Sequence, residues 1–181
     1  MKKINEIFYS LQGEGFYTGV PAVFIRFSGC NLKCAFCDTR HEEGEWMTDE
    51  AILKEVCKYP ARMVILTGGE PALWIDEELL RLLHQENKYI CIETNGTKEL
   101  PSGIDWVTCS PKQGGKLKLK HQDELKVVYE GQDVSAYEKL PAKHYFLQPC
   151  SCSNTVEVVS YILQHPQWRL SLQTHKLIAI P

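Results

Sequence analysis

Met63-Val64-Ile65-Leu66-Thr67-Gly68-Gly69-Glu70-Pro71 is an apolar run that stops abruptly at two glycines, and its reading decides the fold. Such a run, bounded by turn residues, predicts a short buried strand. Residues 76–87 follow, with Leu79, Leu80, Leu82 and Leu83 behind Asp76, and this pattern predicts a helix. Tyr89-Ile90-Cys91-Ile92 is the next strand, closed by Asn95-Gly96. Strand, helix and strand in this order argue for a parallel sheet.

The same alternation extends outward. Ala22-Val23-Phe24-Ile25-Arg26-Phe27, between Pro21 and Gly29, is an earlier strand. Thr48-Asp49-Glu50 opens a helix by supplying a cap and first-turn acids, with Ile52, Leu53, Val56 and Cys57 as its buried face. Further strands are expected at 106–109, 126–129, 145–147 and 169–173, and a third helix at 155–164. An eightfold barrel typically takes about 250 residues. The expected fold is therefore α/β, an open partial (β/α) barrel of about six or seven strands and about three main helices. A single domain would cover residues 1–181. In such barrels ligands gather at the carboxyl ends of the strands. The polar punctuation sits there: the cysteine loop after the first strand, 67–71 after the second, and Glu93-Thr94-Asn95-Gly96 after the third.

The composition is that of a soluble globular protein, with 44% hydrophobic and 24% charged residues in a chain of 181. A net charge of −3 gives no global attraction to nucleic acid. No apolar run approaches membrane-spanning length, and Asn5 and Glu6 interrupt the start before a secretory signal can form. The cytoplasm is the expected compartment, so the eight cysteines are expected as thiols or metal ligands rather than disulfides. Cys57 and Cys91 lie in apolar patterns and read as small core residues.

Cys30, Cys34 and Cys37 form a C-x₃-C-x₂-C loop. Three thiolates on one short loop can ligate three corners of a [4Fe–4S] cubane, leaving the fourth iron open for a chelating substrate. A single zinc ion is the competing reading, with His41 as a fourth ligand. Three unrelated core cysteines are a further one.

The loop resembles the radical S-adenosylmethionine superfamily, whose pattern C-x₃-C-x-φ-C takes an aromatic residue at φ, here Phe36. Gly68-Gly69-Glu70-Pro71 resembles the superfamily's second mark, a segment that holds the cofactor's amino group. Ser10-Leu11-Gln12-Gly13-Glu14-Gly15 with Arg26 is similar to one branch, the 7-carboxy-7-deazaguanine synthases. So are Cys37-Asp38-Thr39, Cys109-Ser110-Pro111-Lys112, Gln148-Pro149 and Gln173-Thr174-His175-Lys176.

This resemblance implies a lyase that turns 6-carboxy-5,6,7,8-tetrahydropterin into 7-carboxy-7-deazaguanine and ammonia by radical ring contraction. It implies a homodimer using a [4Fe–4S] cluster, S-adenosylmethionine and Mg²⁺. By matching position, Leu11, Gln12, Gly13, Glu14, Arg26, Thr67, His175 and the carboxylate of Pro181 would meet the pterin, with Glu14 the candidate for proton transfer. Thr39 would ligate Mg²⁺. Phe36, Cys37, Asp38, Gly69, Glu70, Ser110, Pro111, Lys112, Gln148, Pro149, Cys150 and Ser151 would hold S-adenosylmethionine.

Cys150-Ser151-Cys152 is also compatible with a second metal site. Lys112, Lys116, Lys118 and Lys120 read as a solvated hairpin or lysine-guarded edge strand, or as a dock for an acidic one-electron reductant such as flavodoxin. The rival functions are a glycyl-radical-enzyme activase and, from another class, an iron–sulfur electron-transfer or zinc-binding module.

Overall fold

The computed structural model describes residues 1–35, 37, 39 and 41–181, so Phe36 and Asp38 lie outside the described residues. Among the described residues the strands are β1 (Lys2–Leu11), β2 (Pro21–Phe27), β3 (Glu45–Met47), β4 (Met63–Gly68), β5 (Tyr89–Thr94), β6 (Trp106–Cys109), β7 (Gln122–Tyr129), β8 (Ala142–Pro149) and β9 (Arg169–Leu170). They lie in one sheet of order β3-β1-β2-β4-β5-β6-β7-β8-β9. The helices are α1 (Asp49–Val56), α2 (Glu77–Gln85), α3 (Thr155–Gln164) and α4 (Thr174–Leu177).

From β2 to β9 every pairing is parallel, and these are the strands expected from the apolar runs. Strands β1 and β3 escape that reading. In β1 the register slips between Ile4 and Glu6, a bulge that breaks the period-two alternation, and β3 has only three residues. The last strand is shorter than expected: residues 169–170 pair with β8, and the chain then turns into α4. Residues 116–120 form no edge strand, because β6 and β7 on either side are both interior to the sheet. Cys91 is buried as expected, but Cys57 is exposed, since it caps the end of α1 rather than facing the sheet.

Alternation along the strands separates two faces. Val23, Ile25, Val64, Leu66, Ile90 and Ile92 point outward and pack beneath α1 and α2 with Ile52, Val56, Leu79, Leu80 and Leu83. The helices start where their caps allow: Thr48 Oγ1 accepts from the Ala51 N–H at 3.2 Å, and Asp76 Oδ1 from the Leu79 N–H at 3.1 Å. Buried Lys2 ties β1 to both helix starts through Asp49 at 2.6 Å and Asp76 at 2.9 Å. Leu125, Val127, Leu147, Val158 and Trp168 continue the outer layer under α3. Ile25 is fully buried in this layer, so Ile25→Ala should destabilise the fold by about 2–5 kcal/mol, measured by urea unfolding with an unchanged m-value.

The other face is the concave inside of the partial barrel. Its amino-terminal end is plugged by Ala22, Phe24, Met63, Ile65, Cys91 and Trp106. Toward the carboxyl ends the inward positions turn polar: Arg26, Thr67, Glu93, Lys126 and Gln148 sit above the plug. Arg26 and Thr67 are direct register partners.

Candidate active site

A cavity of about 1310 Å³ opens above the plug. That exceeds the roughly 300–1,000 Å³ that one drug-sized ligand needs, so it has room for two small molecules side by side.

One wall is the cysteine loop. The Gly29 N–H donates to the His41 carbonyl at 2.6 Å and pinches the base of this loop, so Cys30, Cys34 and Cys37 all face the cavity. All three are free thiols, Cys30 and Cys34 half-buried and Cys37 exposed. The Cys30 sulfur accepts from the Leu32 N–H at 3.4 Å and from Asn95 Nδ2 at 4.0 Å. N–H donors aimed at a sulfur suit a cluster-ligating thiolate. Nearby, His41 Nδ1 is buried with no hydrogen-bond partner among the described residues, an orphan that a bound group at this wall would satisfy. These donors fit an iron–sulfur cluster.

The loop after β4 braces that wall. The Gly69 N–H donates to Phe27 O at 3.0 Å and the Glu70 N–H to Gly29 O at 2.9 Å, locking it to the start of the cysteine loop. A Cβ on Gly69 would stand 2.0 Å from the Gly29 carbonyl oxygen, so only glycine allows this crossing. Glu70 is wholly buried and turned away from the cavity. Its carboxylate accepts from Thr94 Oγ1 at 2.7 Å, the Asn95 N–H at 2.8 Å and the Ala72 N–H at 2.9 Å. Burial raises its pKa above the ordinary carboxylate value in spite of these donors. The Glu70 side chain therefore fixes the loops after β4 and β5 to each other.

The opposite wall is a buried charge network. Lys126 lies between Glu14, with which it is hydrogen-bonded, and Glu93 at 3.5 Å. Gln173 Nε2 donates to Glu14 at 2.9 Å, and Gln12 Nε2 to Glu93 at 2.8 Å. Burial alone would push the Glu14 carboxyl up, but the Lys126 charge and the Lys126 and Gln173 hydrogen bonds hold it below its ordinary value. Burial works against the Lys126 charge, yet Glu14, Glu93 and Glu124 together hold its pKa above the ordinary lysine value. Arg26 lies at the rim, its Nε donating to Glu6 at 2.7 Å and its guanidinium over the Phe8 ring.

The carboxy-terminal segment closes this side. The Thr174 N–H donates to Gly13 O at 2.9 Å, and Ser10 Oγ donates to Pro181 O at 2.8 Å. The His175 ring packs so tightly on Gly13 that a Cβ there would lie 2.1 Å from Nδ1. Gly13→Ala should displace His175 and lower kcat/KM by about tenfold to 10²-fold while leaving the thermal midpoint near wild type. A variant with unchanged kinetics would show that the His175 position does not matter.

Most of the expected site residues thus meet in one place. Leu11, Gln12, Gly13, Glu14, Arg26, Thr39, Thr67, Gly69, Ser110, Lys112, Gln148, Pro149, Cys150, Ser151, His175 and Pro181 all line the cavity with the three cysteines. Glu70 and Pro111 do not line it. Sequence reasoning placed Glu93 and Asn95 at a ligand-gathering strand end without giving them a role, and it passed over Lys126 as a site residue. The Glu93-to-Gly96 turn was legible as a strand end, but nothing along the chain marks Lys126 as an inward residue.

The comparisons with known proteins agree with this geometry. Residues 24–121 match the Radical SAM superfamily. A 7-carboxy-7-deazaguanine synthase from Bacteroides thetaiotaomicron is 71% identical over 180 residues, covering 99% of each chain. One from Bordetella pertussis is 42% identical over 206 aligned positions, covering 98% of each. The crystal structure of QueE from Escherichia coli superposes with a TM-score of 0.81 at 31% identity, covering 94% of this chain and 93% of that one. The chain therefore belongs to the radical S-adenosylmethionine superfamily and, within it, to the 7-carboxy-7-deazaguanine synthases.

Proposed function

We propose that the chain converts 6-carboxy-5,6,7,8-tetrahydropterin to 7-carboxy-7-deazaguanine and ammonia, on the way to queuosine-type deazapurines, with residues 1–181 acting as one catalytic unit. The observation that carries this reading is the shared cavity, with three thiols on one wall and the Gln12–Glu93–Lys126–Glu14 network on the other.

Cys30, Cys34 and Cys37 would hold the [4Fe–4S] cluster, and Gly69, Ser110, Lys112 and residues 148–151 would hold S-adenosylmethionine beside it. When bound, this pair supplies one-electron chemistry that takes a hydrogen atom from the substrate. The chain's own residues bind and orient the pterin. Arg26, with Nε committed to Glu6, turns its remaining guanidinium nitrogens to the substrate carboxylate, where bidentate geometry favours arginine over lysine. Glu14, kept ionised by Lys126, accepts from the N–H edge of the aminopyrimidine ring, and Gln12 presents its amide to the same heterocycle. At neutral pH a carboxyl held below its ordinary value is an acceptor rather than a proton donor, which makes Glu14 a binding residue first. His175 and Pro181 close the pocket and exclude water.

Thr39 lines the cavity, and its hydroxyl would supply a hard oxygen ligand for Mg²⁺. The active form is a homodimer, reduced by an external one-electron donor such as flavodoxin. Eight free cysteines and the absence, among the described residues, of any helix long and apolar enough to cross a membrane support a cytoplasmic location.

The test is anaerobic turnover of the protein reconstituted with iron and sulfide, given S-adenosylmethionine, Mg²⁺, dithionite and the pterin. Mass spectrometry should find 7-carboxy-7-deazaguanine at many equivalents per S-adenosylmethionine consumed. Formation of 5′-deoxyadenosine without that product would overturn the substrate assignment. No cleavage of S-adenosylmethionine would overturn the radical reading.

A further inference from the structure

Residues 112–121 connect β6 to β7 at the carboxyl ends of the parallel strands, beside the cysteine loop. Leu117 and Leu119 turn inward onto the cluster around Cys109 and Leu125, while Lys116, Lys118 and Lys120 between and beyond them are exposed. The Lys118 N–H donates to Gly96 O at 2.8 Å, which brings the loop beside exposed Lys98. The segment is also joined to the cysteine loop. A Cβ on Gly115 would lie 3.6 Å from Leu32 Cδ1 and 3.3 Å from the Thr97 methyl group, and Asn31 Nδ2 donates to Thr97 Oγ1 at 2.8 Å. Lys33, between Cys30 and Cys34, is exposed on the same loop.

Lys33, Lys98, Lys116, Lys118 and Lys120 make no ion pair with any described residue, whereas Lys2, Lys58, Lys126 and Lys143 each reach a carboxylate. A lysine row is ordinarily a guard on an open sheet edge. That account fails here, because the sheet ends at β3 with β1 and at β9, while β6 and β7 are paired on both sides. The other flank of the cysteine loop carries the opposite charge. Exposed Glu42, Glu43 and Glu45 are held over β1, where Lys3 Nζ donates to Glu42 O at 2.8 Å and Asn5 Nδ2 to Glu43 O at 3.0 Å. Among the described residues, five exposed lysines and Glu99 thus stand on the β5–β6 side of the thiol wall, and three exposed glutamates on the β1 side.

We propose that Lys33, Lys98, Lys116, Lys118 and Lys120 form the docking surface for an acidic one-electron carrier protein with a reduced flavin. The proposal rests on the reading that the three cysteines hold a cluster. One electron leaves the carrier's flavin, which is oxidised by one electron, and enters the cluster, which is reduced by one. No bond to the chain forms or breaks. The lysines steer the acidic carrier to the side of the loop where Lys33 adjoins the cluster ligands, and Glu42, Glu43 and Glu45 repel it from the other side.

The test uses the full chain carrying Lys98→Glu, Lys116→Glu, Lys118→Glu and Lys120→Glu, with flavodoxin as the carrier. At low ionic strength flavodoxin binding, measured by interferometry, should weaken about tenfold or more, and flavodoxin-driven 5′-deoxyadenosine formation should fall similarly. Dithionite-driven formation should stay at the wild-type rate. Wild-type binding should weaken with added salt and the variant's should not. Charge reversal at Lys54 and Lys139, on other faces, should leave every readout unchanged. Equal losses with both reductants, undiminished flavodoxin binding, or the same loss from the Lys54/Lys139 variant would overturn the proposal. If wild-type protein fails with dithionite as well, the radical reading falls, and the binding measurement still judges the docking surface.

Discussion

Cys34→Ala should abolish turnover, lowering S-adenosylmethionine cleavage below detection, while the fold survives nearly unchanged. Two thiolates do not hold three corners of a cubane, so the visible absorbance of the reconstituted protein should collapse as well. The fold should survive because Cys34 belongs to no strand or helix and to no core cluster, and its loop is tied down elsewhere. Gly29 bonds to His41, and Asn31 to Thr97. Circular dichroism and the thermal midpoint of the cluster-free variant should match those of cluster-free wild type. A variant that keeps both its colour and its cleavage would remove Cys34 from the ligand set.

Lys126→Met should be the most damaging single change on the opposite wall. It deletes a buried positive charge and takes from Glu14 and Glu93 the ammonium that both of them pair with. Removing one partner of a buried pair costs about 3–5 kcal/mol, so the urea midpoint should fall clearly. The proton balance changes too. Glu14 sits below its ordinary 4.5 in the native protein, so its contribution to stability is present above that value and is lost as pH falls through the depressed one. Without Lys126, burial would dominate and raise the Glu14 carboxyl. The Glu14 contribution should then change sign and diminish as pH rises from the ordinary 4.5 through the raised value, because the native carboxyl now takes up a proton more readily than the unfolded one. Activity should drop about 10³-fold, from misplacement of Gln12 and Glu14 as well as their altered charge. Adding Glu14→Gln to Lys126→Met should recover part of the stability but not the activity. Full activity in Lys126→Met would show that the network is structural only.

Asn5 explains why β1 was invisible. The bulge there puts Ile4 on the outer, helix-covered layer and Phe8 near the inner plug, so the apolar residues of 2–11 fit neither period two nor period 3.6. The error at Cys57 is of the same kind. A helix pattern carried one residue past its end counts a cap as core. The expected strand at 169–173 was overlong because the ladder to β8 ends with the Ser171 N–H on Leu147 O at 3.0 Å, after which the chain turns into α4.

What the sequence by itself determined is local: the parallel strands from their short apolar runs, the three longer helices from their apolar residues, with caps marking the starts of α1 and α2, and the thiol loop from its spacing. Each of these signals is complete within about a dozen residues. The tertiary structure alone decided which charged residues are inside. Nothing along the chain turns Lys126 inward or pairs it with Glu93, but the sheet curls and brings both onto one cavity wall, where each charge persists because another strand or loop supplies its partner. Glu14 and Lys126 stand 112 residues apart. Pairing over such a span depends on the path of the whole sheet, which no local pattern encodes.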